Sequence, residues 1–354
     1  MDTIMTEPRG RLQDLSPDGM AEADGVAVVR VERLVKRYGQ GAQAFEAVRG
    51  ISFAVRPGEV FGFLGPNGAG KTTTISILCT LLRPSAGSAF VAGYNVVRQP
   101  HQVRRSIGVI FQDPTLDNQL TAWENLAFHA FAYGVPRAEA RQRGEALLRL
   151  LELWDRRDDQ VKTFSGGMKR RLEIARGLLH QPQVLFLDEP TLGLDPQTRA
   201  LIWGYLLDLR RSTGLTLFLT THYMDEAEHC DRIAIIDHGQ IVALDTPTGL
   251  KARVGGDVVT LRTEDNARAA EEIAARWPAL HPSLADGELR LEVERGDQFV
   301  PELVRGISAR IDAIQVHRPT LDDVFVKLTG RQIRDQEAGS VEQLRQRARL
   351  WGRR

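Results

Sequence analysis

The sequence predicts an α/β fold with a core of parallel strands, and three observations lead to that class. The apolar run "VFGFLG" enters a glycine-rich loop, and "KTTTISILCTLL" then places apolar residues, Leu81 among them, at helical spacing. The runs "VLFLDEP" and "TLFLTTH" are continuously apolar until polar residues end them, which is typical of buried parallel strands. With 42% hydrophobic residues, the 354-residue chain has ample material for a core and for roughly two domains.

The larger of the two expected domains covers residues 26–250. Residues 1–25 contain no apolar run of signal-peptide length, and we expect them to form a disordered tail. The domain then starts with short β-branched runs interrupted by Gly and Pro, which indicates an antiparallel sheet. A helical insert is predicted at about 113–163, because Thr121 and Glu124 can form a capping box and "RAEARQRGEALLRLLELW" carries an apolar stripe.

A second, smaller unit is expected at residues 251–330. The segments "DVVTLRT", "ELRLEVE" and "IDAIQVH" alternate as strands do, with helical patterns between them. Thr320 and Asp323 can cap the last helix, so the unit is predicted to be a small α+β domain. Residues 331–354 hold seven Arg and three acidic residues and form a basic tail.

Composition excludes several classes of partner. Lys plus Arg and Asp plus Glu both number 46, so no global field draws nucleic acid to the chain, and we expect no nucleic-acid partner. Two cysteines argue against a disulfide framework and for a reducing compartment. No window approaches the roughly 18 apolar residues of a membrane span, so the chain is expected in the cytoplasm.

A phosphate-binding loop is predicted between the first parallel strand and its helix. Gly65, Gly70, Lys71 and Thr72 match G-x-x-x-x-G-K-[ST] in the required strand-to-helix context. Glycines let backbone N–H groups turn toward an anion, Lys71 reaches the outer phosphates and Thr72 can ligate Mg²⁺. The residues expected to hold the nucleotide in this loop are Gly65, Pro66, Asn67, Gly68, Ala69, Gly70, Lys71, Thr72 and Thr73.

Two further stretches carry candidate chemistry. Asp188 and Glu189 end an apolar strand, where Asp188 suits the Mg²⁺ shell and Glu189 suits polarising a water molecule. In "FSGGMKRRLEIARGLL", Ser165 and two glycines begin a helix, which is a second arrangement that favours an anion. Taken alone, either stretch is also compatible with an ordinary strand end or a capped helix.

Together these motifs resemble the nucleotide-binding subunit of ATP-binding cassette (ABC) transporters. The resemblance spans residues 27–245 and implies a P-loop NTPase cassette with a parallel-sheet core, an antiparallel β subdomain and a helical subdomain. It assigns Gln112 to the Q-loop, Asp195 to the D-loop, His222 to the switch histidine and Tyr38 to adenine stacking. It also implies that the signature residues Ser165, Gly166 and Gly167 cap the nucleotide of a second copy. By the same resemblance the catalytic residues are Glu189, His222, Lys71 and Gln112, and the Mg²⁺ ligands are Thr72, Gln112 and Asp188.

The branch of the family is indicated by three segments. "FSGGM" places Phe164 and Met168 where the family usually has Leu and Gln, and with "THYMDEAE" and "PTLDDVFVKLTGR" it is similar to the daunorubicin-resistance type of exporter. This resemblance implies an ATPase, membrane-associated at the cytoplasmic face, that forms a homodimer around ATP and Mg²⁺. It further implies a separate transmembrane permease and export of a drug-like or other hydrophobic substrate, with antibiotic resistance as the outcome.

Other classes of nucleotide-binding protein differ from this sequence in recognisable ways. A GTPase requires an [NT]-K-x-D element, which the sequence lacks. A DNA-repair ATPase would carry a long coiled coil between the glycine-rich loop at Gly65 and the acidic strand end at Asp188, but only about 120 residues separate these two motifs here. Translation factors of the superfamily usually carry two cassettes. An importer ATPase and a soluble ABC ATPase without transport remain open, although the C-terminal ending argues against an importer.

The helical insert contains more aromatic surface than a small insert needs for its own core. Trp123, Phe128, Phe131 and Tyr133 follow one another closely after Gln112. We expect another protein to cover part of this surface. The family resemblance implies that this protein is the membrane subunit.

Overall fold

The computed structural model describes residues 27–39, 44–285 and 287–330. The expected tails, 1–25 and 331–354, lie outside the described residues. The strands, in chain order, are β1 (Val29–Tyr38), β2 (Phe45–Val55), β3 (Val60–Leu64), β4 (Ala86–Val91), β5 (Tyr94–Asn95), β6 (Ile107–Ile110), β7 (Val184–Asp188), β8 (Thr216–Thr221), β9 (Arg232–Asp237), β10 (Gln240–Asp245), β11 (Asp257–Thr263), β12 (Ser283–Ala285), β13 (Glu288–Val293) and β14 (Ile311–His317).

Helices connect these strands and cover their faces. In chain order they are α1 (Lys71–Leu78), α2 (Pro100–Ser106), α3 (Ala122–Ala132), α4 (Arg137–Leu150), α5 (Gly166–Leu178), α6 (Pro196–Thr213), α7 (Met224–Ala227), α8 (Pro247–Ala252), α9 (Asn266–Arg276), α10 (Gly296–Gly306) and α11 (Leu321–Thr329). None of the helices within the described ranges is both long and apolar enough to span a membrane.

The central sheet has six strands in the order β10-β9-β3-β8-β7-β6. Strands β6, β7, β8, β3 and β9 pair in parallel, and β10 closes the edge antiparallel to β9. Every residue of β3, β7 and β8 is buried, which confirms that their continuous apolar runs are interior parallel strands. Because β3, β8 and β7 are neighbours, their carboxyl ends lie side by side at one edge of the sheet.

A four-stranded antiparallel sheet, ordered β2-β1-β4-β5, packs on the central sheet. The interface between the two sheets is filled by fully buried phenylalanine rings whose centroids lie 5.3 to 6.0 Å apart. They are Phe53, Phe61, Phe63, Phe186 and Phe218. Removing one such ring to Ala typically costs about 3–5 kcal/mol, so this cluster fixes β2 against the strands that carry the site.

Helix α1 is shorter than its sequence predicts. The apolar spacing extends to Leu81, but the helix ends at Leu78 and Leu81 is 56% exposed. Thr80 has φ of 64°, in the left-handed region, which turns the chain out of the helix. Ile75 and Ile77 of α1 are buried in the core between the two sheets, so the helix remains anchored beneath the glycine-rich loop.

The helical insert consists of α3 and α4, followed by two short 3₁₀ turns (Trp154–Arg156 and Val161–Thr163). The predicted capping box is present at the start of α3, where the side chains of Thr121 and Glu124 each accept a backbone N–H. Both helices pack on α5, so the insert rests on the helix that begins at Ser165. Residues 113–120, where the insert was expected to begin, form an irregular connection of bends and a turn rather than a helix.

The third sheet has the order β12-β13-β11-β14 with antiparallel pairing throughout. Together with α9 and α10 it forms a β-α-β-β-α-β arrangement, the split βαβ motif. Helix α11 then returns to pack on α8, and its Phe325 joins the same buried cluster as Leu250. The expected cap of α11 is present, since Thr320 and Asp323 form a capping box.

Candidate nucleotide site

The candidate site lies at the edge where β3, β8 and β7 end. The glycine-rich loop follows Leu64 of β3, Asp188 ends β7, and His222 follows Thr221 of β8. In the sheet Leu64 pairs with Thr221, and Asp188 pairs with Thr220. Side chains from three distant parts of the sequence therefore converge, as expected for the carboxyl edge of a parallel sheet.

Backbone geometry explains two glycines of the loop. Gly70 has φ of 108°, and a Cβ there would lie 2.5 Å from the carbonyl oxygen of Ala47. A Cβ on Gly65 would lie 2.3 Å from the carbonyl oxygen of Ile236. Only glycine fits at both positions, and α1 then begins at Lys71 with its first N–H groups directed toward the loop. This arrangement suits a phosphate group.

Lys71 is the buried cation of the site, with 4% of its surface exposed. Its Nζ donates to the carbonyl oxygens of Gly65, at 2.7 Å, and Pro66, at 3.3 Å, and lies 3.3 Å from Oε1 of Glu189. Burial lowers the pKa of Lys71, whereas the adjacent Glu189 carboxylate opposes that shift. The ammonium group is thus held in the loop by contacts that an anionic ligand can replace.

Asp188 faces the hydroxyl groups of two threonines. Its Oδ1 accepts from Thr72, at 3.4 Å, and from Thr220. Burial raises the pKa of Asp188, and both hydrogen bonds counteract that effect. A carboxylate and a hydroxyl this close form a set of hard oxygen donors of the kind that Mg²⁺ prefers, with phosphate and water completing the shell. Thr72 and Asp188 therefore fit the ion.

Glu189 connects the cation to the histidine. The Oε1 atom of Glu189, which contacts Lys71, also lies 3.3 Å from Nδ1 of His222. Because a carboxylate only accepts hydrogen bonds, Nδ1 is the donor. Burial alone would raise the pKa of Glu189, but the His222 hydrogen bond and the Lys71 charge lower it below its usual value. The backbone of Glu189 has φ of 49°, an uncommon conformation for a residue other than glycine. The side chain is thus ionised and held in a tight turn.

The signature segment lies elsewhere on the molecule. Ser165 is the N-cap of α5, where its hydroxyl accepts the N–H of Met168 at 3.3 Å. A Cβ on Gly167 would meet the Thr198 methyl group at 2.7 Å, so this segment rests on the start of α6. Asp195 caps α6 by accepting the Thr198 N–H at 2.9 Å. Ser165 and Asp195 therefore form a second group of candidate residues on adjoining helix starts.

Two predicted residues stand apart from both groups. Tyr38 ends β1 and stacks on Phe45, with ring centroids 5.5 Å apart, while the Lys36 ammonium lies 5.2 Å from the Tyr38 ring centroid. Gln112 follows β6, the neighbour of β7, and is exposed. Among the contacts of the described residues, none joins Gln112 directly to the Lys71 group.

Sequence reasoning missed three residues at this site. Thr220 binds Asp188 and also accepts the N–H of Glu189 at 3.2 Å. Arg170 and Glu173 on α5 are buried, and both lie within the charged run "KRRLE". The one available signal was helical spacing, because Ile174 and Gly177, which lie four residues after Arg170 and Glu173, are also buried and share their face of α5.

Known proteins resemble this chain in sequence and in fold. The pattern of the ABC transporter family matches residues 48–192. A solved structure of the ATP-binding cassette MJ0796, a dimeric post-hydrolysis state bound to ADP and Pi, is 27% identical to this chain. It superposes with a TM-score of 0.56 and covers 62% of this chain and 98% of that one.

Relatives of known designation match over most of their length. The linearmycin resistance ATP-binding protein LnrL of Bacillus subtilis is 39% identical, over 87% of this chain and 100% of the relative. The daunorubicin resistance ATP-binding protein DrrA2 of Streptomyces coeruleorubidus is 41% identical, over 89% and 98%. The Nod factor export ATP-binding protein I of Ralstonia nicotianae is 40% identical, over 87% and 95%. The chain therefore belongs to the ABC transporter family, as one of its ATP-binding and ATP-hydrolysing subunits.

Proposed function

We propose that two copies of this chain use ATP to power export of a drug-like or other hydrophobic compound through a separate permease at the cytoplasmic face of the membrane. The observation that carries the proposal is the convergence of Lys71, Thr72, Asp188, Glu189 and His222 at one sheet edge. Each of these groups matches a requirement of phosphoryl transfer to water. The compound class is supported by the relatives, whose names refer to linearmycin, daunorubicin and Nod factor.

In this proposal the loop from Gly65 to Thr73 wraps the phosphates of ATP. Lys71 exchanges its Glu189 contact for β- and γ-phosphate oxygens, and the adenine stacks on Tyr38. Thr72 and Asp188, with Gln112, would hold Mg²⁺, and the ion would supply positive charge that offsets the charge of the phosphates. Ser165, Gly166 and Gly167 of the second copy close over the γ-phosphate with N–H and hydroxyl donors.

Hydrolysis then depends on two side chains. Glu189 accepts a proton from water as the water oxygen attacks the γ-phosphorus, and the bond to the β–γ bridging oxygen breaks. His222, already hydrogen-bonded to Glu189 through Nδ1, donates to a γ-phosphate oxygen from Nε2, which requires a proton on each ring nitrogen. Loss of the γ-phosphate weakens the bridge between the copies, so they separate. Asp195 belongs to the segment that lies between the two sites in the dimer.

The permease is proposed to bind at the helical insert. Phe128 and Phe131 of α3 are 69% and 85% exposed, which is unusual for aromatic residues so close together. Next to Phe131 is a groove of about 680 Å³ whose other side carries Arg104 and Arg105 of α2. An amphipathic cytoplasmic helix with apolar and acidic side chains fits these surfaces. In the chain Gln112 lies between the two sides of this groove, since it follows Arg105 and precedes Phe131.

The proposal is tested by an export assay. Cells expressing this chain with a membrane protein encoded beside it should accumulate less of a fluorescent anthracycline than cells expressing either protein alone. Cells carrying Glu189→Gln in the same pair provide the matched control and should accumulate the dye like the single-protein cells. Equal accumulation in all cells, or no association of the two proteins in membranes, would leave the ATPase without the proposed export function.

A further inference from the structure

Arg170 of α5 is a buried guanidinium group that joins several backbone segments. Only 6% of the residue is exposed. Its Nε donates to the carbonyl oxygen of Pro190, and its Nη2 donates to the carbonyl oxygens of Asp188, at 3.4 Å, and Glu189, at 3.1 Å. Three successive carbonyl groups at the end of β7 are therefore fastened to one side chain of α5.

The same guanidinium also binds the segment that contains Gln112. Its Nη1 donates to the carbonyl oxygen of Phe111 at 2.6 Å and to Oε2 of Glu173 at 3.0 Å. Oε1 of Glu173, which is 1% exposed, accepts the N–H of Thr115 at 2.8 Å. The residues on both sides of Gln112 are thus attached to the Arg170–Glu173 pair. Arg170 and Glu173, both on α5, thus hold the chain on the two sides of Gln112.

We propose that Arg170 and Glu173 are positioning residues for ATP hydrolysis, which set Glu189 and Gln112 in register with the signature helix. The inference rests on the proposed role of Glu189. Glu189 has φ of 49°, so its carboxylate direction depends on the turn that follows Asp188. Arg170 donates hydrogen bonds to the carbonyl groups of Glu189 and of the residues directly before and after it. These hydrogen bonds together fix the conformation of the turn. The guanidinium itself reaches no phosphate-loop residue in the described contacts.

This arrangement also gives α5 a direct mechanical link to the reacting atoms. Ser165 begins the helix and Arg170 lies little more than one turn later. A shift of α5 when a second copy engages Ser165 therefore moves the carbonyl groups of Glu189 and the chain beside Gln112 together. A five-donor planar group is needed for so many acceptors, and lysine, with a point charge, cannot reproduce them.

The test compares Arg170→Lys with a matched variant, Arg171→Lys, on the same helix. Arg171 is 16% exposed and binds the carbonyl oxygen of Leu151 in the insert, away from Glu189. Arg170→Lys should lower kcat about 10- to 100-fold, as expected for a small misplacement of the base, with KM for ATP changed less than about threefold. Arg171→Lys should retain kcat within about twofold. Unchanged kcat in folded Arg170→Lys overturns the inference.

A double-mutant cycle separates positioning from a general structural role. If Arg170 acts through Glu189, adding Arg170→Lys to Glu189→Gln should cost less than about a further twofold in hydrolysis. A full additional loss in that background contradicts action through Glu189. If Glu189→Gln alone hydrolyses normally, the proposed role of Glu189 fails instead. If Arg170→Lys does not fold, Glu173→Gln replaces it in the test. The amide removes an acceptor for Arg170 but keeps one for the N–H of Thr115. A normal kcat in Glu173→Gln would also overturn the positioning role of Arg170 and Glu173.

Discussion

At the scale of single residues, the nucleotide site is controlled by buried opposite charges a short distance apart. Lys71 and Glu189 are 4% and 7% exposed, so each desolvated charge depends on the other and on hydrogen bonds. Lys71 has two carbonyl partners besides Glu189, and it keeps them when the carboxylate is neutralised. We therefore expect ATP binding and ATP hydrolysis to depend on different members of the same cluster.

Glu189→Gln is expected to separate these two functions. The amide preserves shape but cannot accept a proton, so turnover should fall by roughly 10² to 10⁴. ATP affinity should change little, because Lys71 and the glycine-rich loop are intact. Steady-state phosphate release and equilibrium binding of a fluorescent ATP analogue measure the two quantities. Lys71→Ala is the contrasting variant and should weaken binding itself; turnover near the wild-type rate in Glu189→Gln would remove the base from the mechanism.

At the scale of elements, the start of α5 is expected to control dimer assembly. Ser165 and Gly166 lie at the helix N-terminus, where, in the proposed dimer, a side chain of arginine size would occupy the space of the partner's nucleotide. In a Glu189→Gln background, Ser165→Arg should abolish the ATP-dependent dimer while each monomer still binds ATP. Size-exclusion chromatography with light scattering gives the measurement. An ATP-dependent dimer that persists in this variant rules out the sandwich through Ser165.

The joint between α3 and the end of α5 should make stability depend on pH. His180 Nε2 lies 2.8 Å from the carbonyl oxygen of Ile107 and must donate there, so its Nδ1 accepts from His129 Nε2 at 3.4 Å. Tyr133 stacks on both imidazole rings. Burial, His180 and the nearby Arg176 lower the pKa of His129 from 6.5 to about 3. The folded chain therefore favours a neutral His129.

The sign of the effect follows from proton binding. Between pH 6.5 and 3 the unfolded chain binds a proton at His129 that the folded chain excludes. The stability that neutral His129 contributes to the folded chain is therefore fully present above pH 6.5 and is lost as the pH falls. From pH 7 to 5.5 the loss is on the order of 1 kcal/mol. His129→Phe keeps the stacking on Tyr133 without titrating, and its free energy of unfolding should vary less with pH. Equal pH dependence in chemical denaturation of both proteins would contradict this account.

The elements that the sequence predicts well are those with local causes. The continuous apolar runs of β7 and β8 and the capping boxes at Thr121 and Thr320 depend on neighbouring residues, and all are confirmed. The Arg170 contacts could not be predicted, because Phe111 and Pro190 lie 59 and 20 residues away in the chain. Strand β12 was also missed, since its three residues in "HPSLADG" lie between Pro and Gly and read as a turn.

At the scale of the whole molecule, the nucleotide edge and the exposed face of α3 are joined through α5 and β6. His180 attaches the end of α5 to β6, and β6 leads into Gln112. Arg170 attaches the other end of α5 to the Glu189 turn. Rearrangement around the γ-phosphate can therefore be transmitted to the insert through packed helices and hydrogen bonds rather than through a flexible linker.

The exposed face of α3 is expected to bind the membrane protein. Replacing Phe128 and Phe131 together by Asp places two charges on the proposed permease surface without touching a core, because both rings are largely exposed. The variant should bind ATP normally, yet it should no longer co-purify with the membrane protein or lower anthracycline accumulation. Val304→Asp, at an apolar side chain of α10 that is 51% exposed, is the matched control and should behave as wild type. If the double variant still associates with the membrane protein and supports export, the docking surface lies elsewhere; if the wild-type chain stays soluble with or without nucleotide, the proposal of a permease partner fails.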